Sequence, residues 1–156
     1  MSALPQSEPQ LLAMAVADLD EVLAIEAQAY TAPWSRGNFV DSLAAHYEAR
    51  VLRGPDGALW AYFLAMAGVD EMHLLNLTVA PAQAGQGLAR YMLDQLCEIS
   101  RQYGAEQLWL EVRISNGRAR QLYERYGFRQ AGMRRGYYPA VGGLREDAVL
   151  MSLTLS

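Results

Sequence analysis

The sequence predicts an α/β (α+β) fold, with helices packed on a mixed sheet. Three observations carry that expectation. Strand-like and helix-like patterns interleave along the whole chain, in the order β α α β β β α β α β β. The middle connections read strand–helix–strand, which asks for a parallel strand pair. The apolar run 72–79 enters a glycine-bearing turn and then an amphipathic stretch, the layout that puts ligands at the ends of strands in open α/β sheets. At 156 residues and 17.3 kDa, a single domain, 1–156, is expected. A hydrophobic share of 52% excludes a disordered chain. No apolar run approaches the roughly 18 residues a membrane span needs.

Residues 1–9 carry neither a basic nor an apolar leader region and read as a loose tail. Leu11–Ala17 reads as the first strand. Asp18 is the expected N-cap of a helix whose residues Val22, Ile25, Glu26 and Ala29 fall at helical spacing. Pro33-Trp34-Ser35 interrupts, and Ser35 caps a second helix to about Ala45. Tyr47–Leu52 and Ala58–Ala67 form a hairpin about a Pro-Asp-Gly turn at 55–57. Met72–Val79 is a strand. A long helix from Gly87 to about Gln102 ends at Gly104. Gln107–Arg113 is a strand, Asn116–Tyr126 a helix stopped by Gly127, and Phe128–Arg134 and Asp147–Leu155 are strands.

The turn at 80–90 points to chemistry. A strand–turn–helix leaves several main-chain N–H groups at the helix start without intrahelical acceptors, at the positive end of the helix dipole. Such a seat suits phosphate or diphosphate, and Gly85 and Gly87 let the ligand approach the backbone. A P-loop ending Gly-Lys-Ser/Thr is absent, since Gly87 is followed by Leu88-Ala89, and so is a three-glycine dinucleotide fingerprint. By itself, this pattern is also compatible with a plain turn.

On the strand 107–113, Leu108, Leu110 and Val112 share one face and Trp109, Glu111 and Arg113 the other. Glu111, set among apolar residues, suits a general base. The bland reading pairs it with Arg113 or another cation. Asn116 and Tyr123 lie two turns apart on one helix face. The Tyr123 phenol can protonate a departing thiolate, whose reference pKa of about 8.5 lies below the phenol's 10; the bland reading is a core aromatic. Cys97, the sole cysteine, sits mid-helix and reads as packing. With two histidines besides, no metal site is expected. A net charge of −4 gives no footprint for nucleic acid and suits a basic acceptor.

A strand leading into Gln83-Ala84-Gly85-Gln86-Gly87-Leu88-Ala89, then a strand carrying Glu, then Asn and Tyr on the next helix, resembles the GNAT acetyltransferase superfamily. Further segments are similar to its bacterial RimI-type family, which acetylates the N-terminal alanine of a small-subunit ribosomal protein (the eighteenth). They are Pro33-Trp34-Ser35, 108–113, Ser115-Asn116, 122–124, Gly127-Phe128, Arg134-Arg135, Tyr137-Tyr138-Pro139 and 145–148. The resemblance covers nearly the whole chain. It implies a mostly antiparallel sheet of about seven strands with about four helices, and acetyl-CoA as co-substrate without a metal. It implies that the main chain of Leu77, Thr78 and Val79 holds the pantetheine arm. Gly85, Gln86, Gly87, Leu88, Ala89 and Arg90 would seat the diphosphate, and Asn116 would sit near the thioester. Glu111 is then the proton acceptor and Tyr123 the proton donor. Trp34, Tyr137 and Tyr138 are expected to flank the peptide entrance, Trp34 having a core-anchor reading as well.

Two departures stand out: Ala84 replaces the Gln or Arg that usually opens the turn, and Tyr137 follows Gly136 where relatives often carry Asn. A monomeric cytoplasmic enzyme that binds neither nucleic acid nor membrane is expected. Other acceptors (protein N-termini, lysine side chains, small amines) and a silent acyl-CoA-binding module are the competing readings.

Overall fold

The computed structural model describes residues 8–156, so residues 1–7 of the expected tail lie outside the described residues; Glu8 and Pro9 belong to no helix or strand. Seven strands form one sheet: β1 (Gln10–Ala13), β2 (Glu48–Arg53), β3 (Leu59–Gly68), β4 (Glu71–Val79), β5 (Gln107–Arg113), β6 (Arg129–Pro139) and β7 (Arg145–Thr154), in the order β1-β2-β3-β4-β5-β7-β6. The helices are α1 (Leu19–Ala29), α2 (Arg36–Ala44), α3 (Leu88–Gln102) and α4 (Gly117–Tyr126). β4 and β5 are parallel, joined through α3; β1/β2, β2/β3, β5/β7 and β6/β7 are antiparallel. The mixed, mostly antiparallel sheet of seven strands with four helices is the one expected. No helix among the described residues is long and apolar enough to cross a membrane.

The backbone packs as two compact units. The first comprises the chain up to Ala65 with Asn76–Gln95, the second Met66–Leu75 with Leu96–Ser156. In the first, Leu19 and Val22 of α1 and Phe39 of α2 close over Val51, Leu59, Tyr62 and Leu64, with Leu23, Ile25, Trp34 and Leu43 at the margin. Phe39 is fully buried and its ring meets Trp34 at 5.1 Å and Tyr62 edge-on at 6.1 Å. In the second, Leu108, Leu110 and Val112 of β5 are buried, and the β5–β7 register sets Leu110 beside Met151 and Val112 beside Val149.

Local signals explain most boundaries. Ser35 Oγ accepts from the Asn38 N–H at 3.1 Å while Asn38 Oδ1 accepts from the Ser35 N–H at 2.9 Å, a reciprocal cap that starts α2. Gly57 (φ +87°) closes the hairpin, its N–H donating to the Gly54 carbonyl at 2.9 Å. Three expectations are corrected. β1 ends at Ala13 because Val16–Asp18 forms a 3₁₀ turn; Asp18 makes no side-chain cap on α1, its carboxylate accepting instead from the Ala15 N–H and from Arg53. The strand expected to end at Arg134 continues to Pro139, so Tyr137-Tyr138-Pro139 is strand, not loop. The continuation is irregular: β6 advances from Arg134 to Tyr138 while β7 goes only from Ala148 to Glu146. Gly136 makes this bend at φ +57°, its N–H donating to Asp147 Oδ1 at 2.8 Å.

Candidate active site

In the first unit the turn expected to hold phosphate has the backbone it needs. After the 3₁₀ turn Pro81–Gln83, Gly85 and Gly87 adopt φ of +82° and +76°. A Cβ added at either glycine meets nothing within 4 Å, so left-handed backbone, not crowding, is why glycine sits there. The space over the turn is open to a ligand. α3 starts at Leu88, so the N–H groups around 87–90 have no intrahelical acceptor. Gln86 hydrogen-bonds Gln83 at 3.1 Å, bracing the turn from the side. Gly85, Gln86, Gly87 and Arg90 are exposed and Leu88 and Ala89 half-buried.

Leu77 and Val79 are half-buried on one face of β4; Asn76 and Thr78 are buried on the other. Behind them lies a polar cluster that sequence reasoning missed. Glu26 of α1, 1% exposed, accepts from the Tyr62 hydroxyl at 2.6 Å, from Asn76 Nδ2 at 3.2 Å and from the Trp34 N–H at 2.9 Å. Burial and this carboxylate push the Tyr62 hydroxyl far above its ordinary pKa, so it stays a donor. Tyr30 bonds Thr78 Oγ1 at 2.8 Å and the Leu77 carbonyl at 3.1 Å. The available signal was a carboxylate on the apolar side of an amphipathic helix. The Trp34 ring packs on Phe39, and Trp34 also lines an open cleft of about 410 Å³ with Asn38, Asp41, Ser42 and Tyr47.

In the second unit Glu111 projects from β5 opposite Leu150, its side chain 12% exposed. Of the alternatives Arg113 or another cation, the structure sets another cation, Arg134, beside it. Oε1 lies 3.2 Å from His73 Nε2, and Oε2 lies 3.3 Å from Arg134 Nε without hydrogen-bond alignment. Oε2 is therefore buried and accepts no hydrogen bond from the described residues. Arg113 is occupied elsewhere, donating to Glu146 at 2.8 Å and to the Pro139 carbonyl at 2.7 Å, which holds Glu146 below the usual carboxylate range. His73 was legible only as a non-metal histidine; its partner follows from the parallel register that sets His73 beside Trp109.

Tyr137 and Tyr138 stack edge-to-face at 4.9 Å. Arg134 lies over the Tyr137 ring at 5.5 Å and Arg113 over the Tyr138 ring at 4.5 Å. Burial and the Glu111 charge push Tyr137 upward and Tyr138 up to about 12. Tyr123 is buried in α4, its ring edge-on to Phe128 at 5.5 Å. Asn116 is exposed and caps α4, its Oδ1 accepting from the Ala119 N–H at 3.2 Å. Among the described residues no cluster of His, Cys, Asp and Glu could hold a metal ion.

A model described as the acetyltransferase (GNAT) family matches residues 19–128. The chain is 39% identical over 139 residues to the alanine N-acetyltransferase of ribosomal protein bS18 from Escherichia coli K12, covering 89% of this chain and 93% of that one. A putative enzyme of the same description from Bacillus subtilis is 33% identical, covering 92% and 93%. The crystal structure of the E. coli ribosomal-protein-alanine N-acetyltransferase superposes with a TM-score of 0.86 at 36% identity, over 96% of this chain and 95% of that one.

Proposed function

Because the chain belongs to the acetyltransferase (GNAT) family and is an acetyltransferase, we propose that it moves the acetyl group of acetyl-CoA to the N-terminal alanine amine of small-subunit ribosomal protein eighteen. The observation that carries the reading is the Glu111 carboxylate, 12% exposed, set between His73 at 3.2 Å and Arg134 at 3.3 Å, with Oε2 making no aligned hydrogen bond. A buried carboxylate oxygen whose hydrogen-bonding capacity is not filled can receive a proton. The acceptor is argued from the bS18-alanine N-acetyltransferases that this chain resembles over nine-tenths of its length.

The turn fits a diphosphate, since its glycines leave open space above main-chain donors at a helix start. The main chain of Leu77, Thr78 and Val79 would hold the pantetheine arm, and Asn116, whose Oδ1 is taken by its own helix, keeps Nδ2 as a donor towards the thioester end. Acetyl-CoA supplies an acetyl group activated as a thioester, open to direct attack by a neutral amine. An α-amine, with a reference pKa of about 7.7–8.0, is largely protonated at neutral pH. Glu111, directly or through one water, takes that proton. A main-chain N–H at the end of β4 donates to the carbonyl oxygen as charge builds there. Tyr123 gives its proton to the departing sulfur, and the second proton released by the attacking nitrogen as the amide forms returns through solvent to the phenolate. Trp34, Tyr137 and Tyr138 would hold the extended N-terminus of the acceptor, and the acidic balance favours a basic one.

The test is incubation with acetyl-CoA and peptides beginning with Ala, Ser, Gly or Met, plus one with only an internal lysine free, followed by mass spectrometry. All 13 basic residues of the chain are arginine, so the enzyme's own side chains contribute no acetyl-lysine background. Acetylation confined to the alanine peptide's α-amine is expected. Acetylation of the lysine peptide instead would transfer the reading to a side-chain acceptor.

A further inference from the structure

The mechanism above makes no use of Glu26, yet its carboxylate ends a directed chain of hydrogen bonds. Thr78 donates its hydroxyl to Asn76 Oδ1 at 2.7 Å, and Asn76 Nδ2 donates to Glu26 Oε1 at 3.2 Å. With its proton committed, Thr78 Oγ1 is an acceptor for the Tyr30 hydroxyl 2.8 Å away, whose proton is shared with the Leu77 carbonyl at 3.1 Å. Every donor from Tyr30 through Asn76 thus points towards one acceptor-only group. Glu26 also reaches the other way, Oε2 accepting from the main chain of Trp34 at 2.9 Å. Burying a carboxylate is costly, and the apolar face of α1 would pack more cheaply with leucine. What the carboxylate adds is a rigid tie between two stretches 50 residues apart, Glu26 to Asn76.

We propose that Glu26 is a positioning residue: one oxygen fixes the Asn76–Thr78 stretch along which acetyl-CoA lies, and the other fixes the chain at Trp34, against which the acceptor peptide rests. The proposal depends on the function argued above for Leu77–Val79 and Trp34. Tyr30, the extended C-cap residue just past α1, is the second anchor of the same strand.

Two near-isosteric substitutions separate the two ends. In Glu26→Gln the side-chain oxygen stays with the two donors Tyr62 and Asn76, and its amide N–H₂ faces the Trp34 N–H, donor against donor. The Trp34 end is released. Tyr30→Phe removes the bonds to Thr78 and Leu77 and releases the coenzyme strand. Glu26→Gln should raise the peptide KM about 3- to 10-fold, the factor one net hydrogen bond sets, and leave the acetyl-CoA Kd within about twofold. Tyr30→Phe should do the reverse. A merely structural role would lower the melting temperature and the active fraction without this split.

The proposal is overturned if both variants leave both constants within twofold, or if both constants move together in each. Should Glu26→Gln fail to fold, Thr78→Val cuts the chain at its middle and is expected to raise the acetyl-CoA Kd 3- to 10-fold; an unchanged Kd overturns the proposal. Calorimetry with acetyl-CoA alone needs no acceptor, so it reports on this chain even if wild-type enzyme leaves the alanine peptide unmodified. That result would refute only the acceptor, and the Trp34 end is then read with the acceptor the peptide panel identifies.

Discussion

Replacing Glu111 by Gln separates the proposed proton-acceptor role from everything else the side chain does. The amide keeps the volume and can still meet His73 at 3.2 Å from the present oxygen. What is lost is the ability to take a proton and the charge that faces Arg134. The Arg134 side chain is 53% exposed, so that ion pair contributes no more than about 1 kcal/mol. For a chain of this size that is a shift of about 2–4 °C in Tm. Loss of a general base costs about 10²–10⁴ in kcat, or about 2.7–5.4 kcal/mol of barrier. The two scales do not overlap, so stability and chemistry can be read separately. Initial rates of CoA thiol release, with the alanine peptide and acetyl-CoA both saturating, give kcat from pH 6.5 to 9.5. Below about 8 the amine is mostly protonated and the deficit should be greatest; above it the amine is already neutral and the deficit should narrow. A kcat within threefold of wild type, or a deficit constant across the range, would refute Glu111 as the base.

Tyr123→Phe keeps the ring contact with Phe128 and should lower kcat about 10²–10⁴-fold without changing acetyl-CoA Kd; a loss under threefold would remove Tyr123 from proton donation. Gly87→Ala forces a side chain into left-handed backbone at φ +76°, a strain of about 1–2 kcal/mol that shifts the turn. Its acetyl-CoA Kd should rise at least about tenfold by calorimetry, and an unchanged Kd would move the diphosphate elsewhere. Tyr138, pushed up to about 12 in the fold, ionises near 10 when unfolded. Below pH 10 both states keep the proton; between 10 and 12 only the folded state does, so stability is lost over that window. Urea unfolding at pH 9 and 11 should show a smaller drop for Tyr138→Phe than for wild type, and equal drops would place the alkaline loss on another group.

Much of the fold was legible because its cues are local. The alternation that put Leu108, Leu110 and Val112 on one face and Glu111 on the other holds residue by residue, and so does the Ser35 cap. Asp18 was misread because a carboxylate before a helix has two local donors to choose from, and here the 3₁₀ turn and Arg53 take it. The neighbours of Glu111 were beyond local reasoning. Arg134 sits on β6, and the sheet order puts β7 between β6 and β5, an exchange that no periodicity encodes. Glu26 was passed over for a related reason, since its partners Tyr62 and Asn76 are remote in sequence and neither is unusual in a strand.

The bend at Gly136 has a consequence for how such enzymes change their preferences. Side chains alternate along a strand, so losing or gaining one residue between Arg134 and Tyr138 exchanges which aromatic lies under Arg113 and which is turned outward. Under the proposed function, selectivity at this rim can thus drift by insertion and deletion alone, with the two rings trading places while every amino acid keeps its identity.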